Sequence, residues 1–520
     1  MNEHKRVTRA AGINSAATSL SRALGLVRDM TLANFFGTTA ISSAFQFAFR
    51  IPNLLRRLFG EGAMASAFVP LFAEEIHNKD LDSGFHSANI VLTLLAVLLS
   101  AIAVIIGAVC LFLALFVFDD FKWQLAMLLT VTMIPYCIFI CLTAVCGAML
   151  NTLHHFARPA LAPVLLNVSI IASVWLGAIF LGKSHNQLIY AAAIGVLIGG
   201  VAQLAFQVPE LYKRGFRFKP IWDLAHPFVK NLYYIMAPAV LGAGITQINV
   251  MVDGLLAMFV NKRGVSVLFF ANRLTELPLG IFGVAIATAV LPSLSFFAAQ
   301  NNKKGFINAV GFALRYVSFI IIPAAVGLMI LGQPIVSLLF QHGEFSARST
   351  DYVVKALWLY APGLMAFAML KIIVPTFYAL KDTKTPVKVG LITLVLNVIL
   401  NVILMQFMAE RGLALSTTIC AYLNISLLMY LLRKKMGPLG MKKIIGSITK
   451  ILISTIIMGG VVWVTLTITQ NHFSSNNFFD KFLRVIIPIT LGLITYIFIA
   501  FITGQRELKE LLSAYLRRRK

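Results

Sequence analysis

Arg50–Pro70 reads R-I-P-N-L-L-R-R-L-F-G-E-G-A-M-A-S-A-F-V-P. Three arginines and a glutamate stand here between apolar runs, A-F-Q-F-A-F before Arg50 and A-M-A-S-A-F-V-P-L-F from Ala63. Flanks this apolar do not suit water. An arginine facing lipid at mid-bilayer costs at least ~2.5–3.5 kcal/mol on insertion scales. The remaining arrangement is a helix whose charges line a water-filled cavity enclosed by other helices. Pro52, Gly60 and Gly62 let that helix bend around the contents of the cavity. Charge held at membrane depth is by default a functional-site signal.

The whole chain agrees with a membrane setting. It is 59% hydrophobic and 12% charged over 520 residues, whereas soluble domains carry about 25% charged residues. A net charge of +24 raises nucleic acid as a partner. That reading fails because the basic residues fall mainly between apolar runs, as positive-inside loops do. The short basic N-terminus lacks the pattern of a cleavable signal sequence. The five cysteines, Cys110, Cys137, Cys141, Cys146 and Cys420, lie inside apolar runs with no histidine cluster, and read as packing.

About fourteen apolar stretches approach the ~20 residues that cross a bilayer. An even count places both termini on one side, and the excess of Lys and Arg in alternate loops makes that side cytoplasmic. The chain also repeats itself. A63-M-A-S-A-F-V-P70 is matched by A285-I-A-T-A-V-L-P292, and A-M-L-N-T ahead of Pro159 and Asn167 is matched by Y-A-L-K-D-T ahead of Pro386 and Asn397 at nearly the same separation. The expected architecture is therefore an all-α polytopic membrane protein with two pseudo-symmetric six-helix lobes, residues 1–225 and 226–436. Because six is even, the lobes are parallel repeats about an axis along the membrane normal. Residues 437–520 add two spans and a basic amphipathic tail suited to anionic headgroups, with a solvated basic terminus that enforces orientation as the alternative.

Other charges extend the first set. In S21-R-A-L-G-L-V-R-D29, Arg22 and Asp29 lie two turns apart on one helix face, beside Arg28. Arg57 and Glu61 are i, i+4 partners, and Arg273 and Glu276 are i, i+3 partners in A271-N-R-L-T-E-L-P278. Internal salt bridges account for some of these residues. They do not account for all: Arg22, Arg28, Arg50, Arg56, Arg57 and Arg273 exceed Asp29, Glu61 and Glu276 by roughly three charges, and an uncompensated buried charge is strongly unfavourable. An anion should visit the cavity, and arginine's planar fork suits phosphate. Asp253, Asn397, Asn401 and Thr417 offer oxygen ligands to a cation, with interhelical hydrogen bonding as the alternative. No Walker A loop, H-E-x-x-H or G-x-S-x-G motif is present, so no enzyme is indicated.

S-R-x-L-G-x-x-R-D, F-R-I-P-N-L-L-R-R-L-F-G-E-G-A, A-N-R-L-T-E-L-P-x-G-I-F-G-V-A, L-P-S-L-S and D-T-K-T-P-V-K resemble the MurJ (MviN) family of lipid II flippases. That family is a branch of the multidrug/oligosaccharidyl-lipid/polysaccharide exporter superfamily, and the resemblance runs through essentially the whole chain. It implies two lobes in a V, two extra helices forming a groove for a polyprenyl tail, and the bacterial cytoplasmic membrane as location. It further implies that lipid II, a polyprenyl pyrophosphate bearing a sugar–peptide head, is carried outward by alternating access. Arg22, Arg28, Arg56 and Arg273, with Asp29 and Glu61, would surround the pyrophosphate and head, and Glu276 belongs to the same set through Arg273. Membrane lipids and cell-wall synthesis proteins are the other partners this implies. Ser43 stands where many similar members have an aspartate. Some relatives bind sodium in the second lobe: Asp253, Asn397 and Thr417 match that pattern, while Asn401 is neutral where an aspartate is expected. The alternatives are an exporter of another polyprenyl-linked glycan or of drugs, and a cell-wall scaffold without transport. A scaffold needs no buried arginines, and an exporter of cationic drugs needs buried acids.

Overall fold

The structure, a computed structural model, describes residues 3–60, 63–180, 182, 184–473, 475 and 477–510. All regular elements among them are helical. The chain divides by packing into two units, Met1–Ser266 and Val267–Lys520. The all-α class agrees with the sequence expectation. Eleven described helical stretches are long and apolar enough to cross a membrane. All five cysteines are free and buried.

The first unit begins with α1 (Glu3–Phe36) and α2 (Ala40–Leu55), which Thr39 caps. A π-helical turn, Arg56–Gly60, follows, and then α3 (Ala63–Asn78). Asp80 caps α4 (Leu81–Phe116), and Asp120 caps α5 (Phe121–Met133), which turns at Ile134–Pro135 into α6 (Tyr136–Thr152). The unit continues through α7 (Ala157–Phe180), α8 (His185–Lys213) and α9 (Pro227–Val260). α7 and α8 approach closely because α8 presents small residues. A Cβ added at Gly195 would lie 3.0 Å from Ile170 Cα, and one at Gly199 would lie 2.9 Å from Leu166 Cα. This small-residue spacing lets helix backbones meet where lipid provides no hydrophobic drive. α1 packs along α7, while α9 packs on α2, the π turn and α3.

α10 (Gly264–Pro278) leads into the second unit. Its successor is another π turn, Leu279–Gly283, and then α11 (Val284–Ala299) and α12 (Lys303–Phe340). α13 (Ala347–Tyr360) bends through a 3₁₀ turn at Ala361–Gly363 into α14 (Leu364–Ala379). α15 (Lys384–Met408) and α16 (Glu410–Met436) pair, and α17 (Met441–His472) with α18 (Phe478–Ile502) packs against α12. The segment after α18 is pinned by Glu507, which accepts from Arg315 Nε at 3.2 Å and from Ser447 Oγ at 2.8 Å.

The element order occurs twice. A π turn precedes each copy of the repeated octapeptide, Arg56–Gly60 before α3 and Leu279–Gly283 before α11. A proline-associated bend interrupts the next stretch but one in each half, at Pro135 and at Pro362. α9 opens the second half of the sequence repeat but packs within the first unit. Sequence repetition and packing thus divide the chain at different points.

Candidate substrate site

The arginines of the first unit fall into two groups. On α1, Arg28 holds Asp29 through Nη2–Oδ1 at 2.7 Å and Nε–Oδ1 at 3.0 Å. Adjacent helix residues do not face each other, so the long arginine folds back over a carboxylate that is 0% exposed. Its Nη1 donates to Asn167 Oδ1 on α7 at 3.1 Å, and the Asn167 amide donates to the Ser21 carbonyl at 3.1 Å. The carboxamide therefore ties α1 to α7 and aims the guanidinium. Two turns back, Arg22 is exposed and makes no hydrogen bond or ion pair with the described residues.

The second group follows the π turn. Arg56 donates from Nε to Asn53 Oδ1 at 3.1 Å, one helical turn away. Arg57 is exposed and donates to Gln247 Oε1 on α9 at 3.3 Å, and Arg50 donates to the Val250 carbonyl at 3.1 Å. Pro52 is buried in α2 and has no N–H to continue the ladder. The five-residue π turn follows it, a form that tends to occur at functional sites. Glu61 and Gly62 lie outside the described residues, and with them the expected Arg57–Glu61 pair.

In the second unit, Arg273 Nη1 lies 3.4 Å from Glu276 Oε2, with side chains 27% and 51% exposed. Asn272 donates to the other oxygen of Glu276 at 3.3 Å. The expected i, i+3 pair is present on α10, just ahead of the second π turn.

The candidate cation ligands belong to different units. Asp253, on α9 in the first unit, accepts from Asn249 Nδ2 at 3.3 Å. Asn397 and Asn401 on α15 and Thr417 on α16 belong to the second unit. There the Asn401 amide donates to Asn397 Oδ1 at 2.8 Å, and the Asn397 amide donates to Ser416 Oγ at 3.2 Å. Thr417 Oγ1 donates back to the Leu413 carbonyl at 2.8 Å. The Asn397 oxygen and the Thr417 hydroxyl are thus already engaged, and the Asn397 amide joins α15 to α16 in the pattern of an interhelical clasp.

Sequence reasoning missed several partners. Asn167 entered only as a repeat marker, although its pairing with Asn397 across the repeat was the available signal. Ser43 is buried, its hydroxyl donating to Ser266 Oγ at 3.1 Å and accepting from Ser266 N at 3.3 Å. The two serines join α2 to α10. His155, in the short loop between α6 and α7, sits against Glu210 Oε1 at 3.5 Å and Arg214 Nη2 at 3.4 Å.

A family model described as lipid II flippase MurJ matches residues 32–483. A probable lipid II flippase MurJ of Vibrio cholerae serotype O1 is 36% identical over 98% of this chain and 98% of its own. A lipid II flippase MurJ of Burkholderia cenocepacia is 36% identical over 81% and 83%. Among solved structures, a lipid II flippase MurJ in an inward closed conformation superposes with a TM-score of 0.78 at 29% identity, covering 94% of this chain and 98% of that one. An inward-facing multidrug resistance MATE transporter of the MOP superfamily reaches 0.69 at 17% identity over 82% and 98%, which speaks to fold alone.

Proposed function

Taking as premise that the chain belongs to the lipid II flippase MurJ family, we propose that Arg22, Arg28, Arg56 and Arg273 hold the anionic head of lipid II while it crosses. The chain is a lipid II flippase, a multi-span transporter of the inner membrane and not an enzyme, and its place in peptidoglycan synthesis follows from that substrate. The finer reading concerns which residues do the work and how. Lipid II carries a pyrophosphate and a large sugar–peptide head, and neither tolerates hydrocarbon. A cavity lined by guanidinium groups replaces the lost hydration with charge-assisted, bidentate hydrogen bonds. Closing such a cavity to one face at a time lets the head cross while its tail remains in lipid.

The observation that carries this reading is the contrast along α1. Arg28 is oriented by a buried carboxylate and a carboxamide from α7, whereas Arg22 on the same helix is exposed and unpaired among the described residues. Such an arrangement has one fixed and one available fork, as an anion site requires. Asp29 and Glu276 act as orienting counter-charges, and Glu61 is assigned the same role by the sequence. A cytoplasmic side held negative favours outward movement of the anion by ~2.3 kcal/mol per charge per 100 mV. In this reading residues 1–225 and 226–436 are the two lobes, residues 437–520 guide the tail, about fourteen spans leave both termini cytoplasmic, and membrane lipids and cell-wall synthases are neighbours.

The experiment is lipid II movement in vesicles that contain only this protein, with binding measured in parallel. Arg→Lys at the four positions keeps charge but loses the fork, and is expected to impair both binding and transport at normal membrane levels. Arg→Ala should impair them further. Arg348, exposed in the first turn of α13, is the control and should tolerate alanine. Normal transport in all eight variants would remove the anion-site reading.

A further inference from the structure

Three cations of the first unit touch α9, and their acceptors lie along one face of it. Arg57 donates to the Gln247 side chain, Arg50 to the Val250 carbonyl, and Lys122 Nζ to the Met258 carbonyl and, at 3.1 Å, to the Asn261 carbonyl. The acceptor positions 247, 250, 258 and 261, with Gly254 between the second and third, are spaced by three or four, the spacing of a single helical stripe. Gly254 lies within this stripe. A Cβ there would run into the Arg50 guanidinium and lie 3.1 Å from Arg50 Cδ, so glycine is what allows the arginine to lie against the helix backbone.

Lys122 is the least expected member. It is 6% exposed in the first turn of α5, and its ammonium covers the last carbonyls of α9. A cation at a helix C-terminus answers both the unpaired carbonyls and the negative end of the helix dipole. Trp123 supports it, with its ring centroid 5.9 Å from Nζ and 4.9 Å from the Phe259 ring.

We propose that this stripe is a latch holding α9 on α2 and α5, that Arg50 and Lys122 are positioning residues for transport acting through α9, and that Arg57 is the tooth an anionic ligand releases. The acceptors differ in charge. Arg57 rests at 3.3 Å on a neutral carboxamide oxygen, whereas a phosphate offers the guanidinium an opposite charge and a bidentate pair of hydrogen bonds. A phosphate-bearing ligand therefore outcompetes Gln247 for Arg57. Arg50 and Lys122 bond backbone carbonyls, which sets how far α9 is released. A ligand shifts such an equilibrium only through its different affinity for the two states, and the shared donor supplies that difference. The Arg57 step rests on the anion-site reading, whereas the latch itself does not.

The test is the spin-label distance between cysteines introduced at Ile194 on α8 and Leu255 on α9, both exposed, in the full-length protein. Native cysteines are all buried. Without ligand, Lys122→Met and Arg50→Gln are expected to convert a single short distance into a mixture with a longer one. Gly254→Ala, which displaces Arg50, should do the same. Inorganic pyrophosphate should produce the longer distance in the parent protein. Gln247→Glu, which gives Arg57 a charged acceptor, should raise the half-saturating pyrophosphate by about tenfold, the equivalent of 1.4 kcal/mol. Unchanged ligand-free distances in all three weakened variants would overturn the latch. Failure of pyrophosphate to bind the parent protein would count against the anion site instead, with the ligand-free distances still deciding the latch.

Discussion

The two π turns occupy equivalent places in the repeat, yet their surroundings differ in charge. The first, Arg56–Gly60, carries two arginines itself and has Arg50 upstream, all engaged with neutral acceptors. The second, Leu279–Gly283, carries no charge and follows Arg273, which has Glu276 beside it. The backbone device was kept in both halves, since Pro52 and Pro278 each remove an N–H just ahead of the turn. The charge was not. The chain reuses a bend and varies what the bend presents, two arginines in the first turn and no charge in the second.

The strongest check on this comparison contrasts the ion pairs of the two halves. Arg28–Asp29 is buried, at 12% and 0% exposure, whereas Arg273–Glu276 is half open. Removing one partner of a buried pair leaves an uncompensated charge and costs about 3–5 kcal/mol. An exposed pair contributes about 0–1 kcal/mol. Asp29→Asn should therefore sharply lower the melting temperature in detergent, while Glu276→Gln leaves it nearly unchanged. Equal shifts would mean that the two halves do not differ in the way described.

A second, intermediate effect compares Asn167 with Asn397, which match across the repeat. Both link helices, but Asn167 holds a guanidinium and Asn397 holds Asn401 and Ser416. Alanine at either strands buried polar groups, at about 1–3 kcal/mol. The functional outcomes should diverge: Asn167→Ala weakens anion binding through Arg28, and Asn397→Ala does not. The sodium proposal for Asp253, Asn397, Asn401 and Thr417 is tested alongside. If these oxygens bind the ion, Asp253→Asn abolishes a sodium-dependent change in conformation or lipid II affinity. A response that survives in this variant leaves the clasp as the role of the asparagines.

Much of this was legible in the sequence because it is local or periodic. Apolar stretches, the octapeptide match and the i, i+3 pair on α10 all follow from spacing. Pro52 and Gly60 announced a bend, though not that the bend would be a π turn beginning at Arg56. What remained hidden is long-range. Arg28 meets Asn167 across 139 positions, and Lys122 meets the end of α9 across 136. Neither contact has a local signature, since an asparagine in an apolar run and a lysine after two aspartates read as ordinary. Counting charges overstated the surplus for the same reason: Arg50 and Arg57 use acceptors on α9, and helix carbonyls and amide oxygens do not enter a tally of acids.

The smallest expected effect concerns a cluster in the first unit, where α7, α8 and the loop between α6 and α7 meet. Glu210 on α8 lies 3.2 Å from Arg214 Nε, 3.5 Å from His155 Nδ1 and 3.7 Å from Arg158 Nη2. His155 sits in the short loop between α6 and α7, and its Nε2 is buried without a partner among the described residues. Burial pushes its pKa below the ordinary imidazole value, Glu210 opposes that shift, and Arg214 and Arg158 reinforce it. The folded state therefore binds fewer protons than the unfolded chain around this pH. Stability from the neutral ring is present above the ordinary pKa of about 6.5 and is lost as pH falls below it. His155→Gln removes the titration, so its melting temperature should depend less on pH between about 7.5 and 5.5 than that of the parent protein. The effect should be modest, because a quarter of the ring remains exposed, and it should leave anion binding at neutral pH unchanged. A pH profile identical to the parent's would show that the acid sensitivity arises elsewhere. Reduced anion binding in this variant at neutral pH would mean that the cluster and the π-turn arginines are coupled, and that the charge difference between the two halves reaches further than the bend.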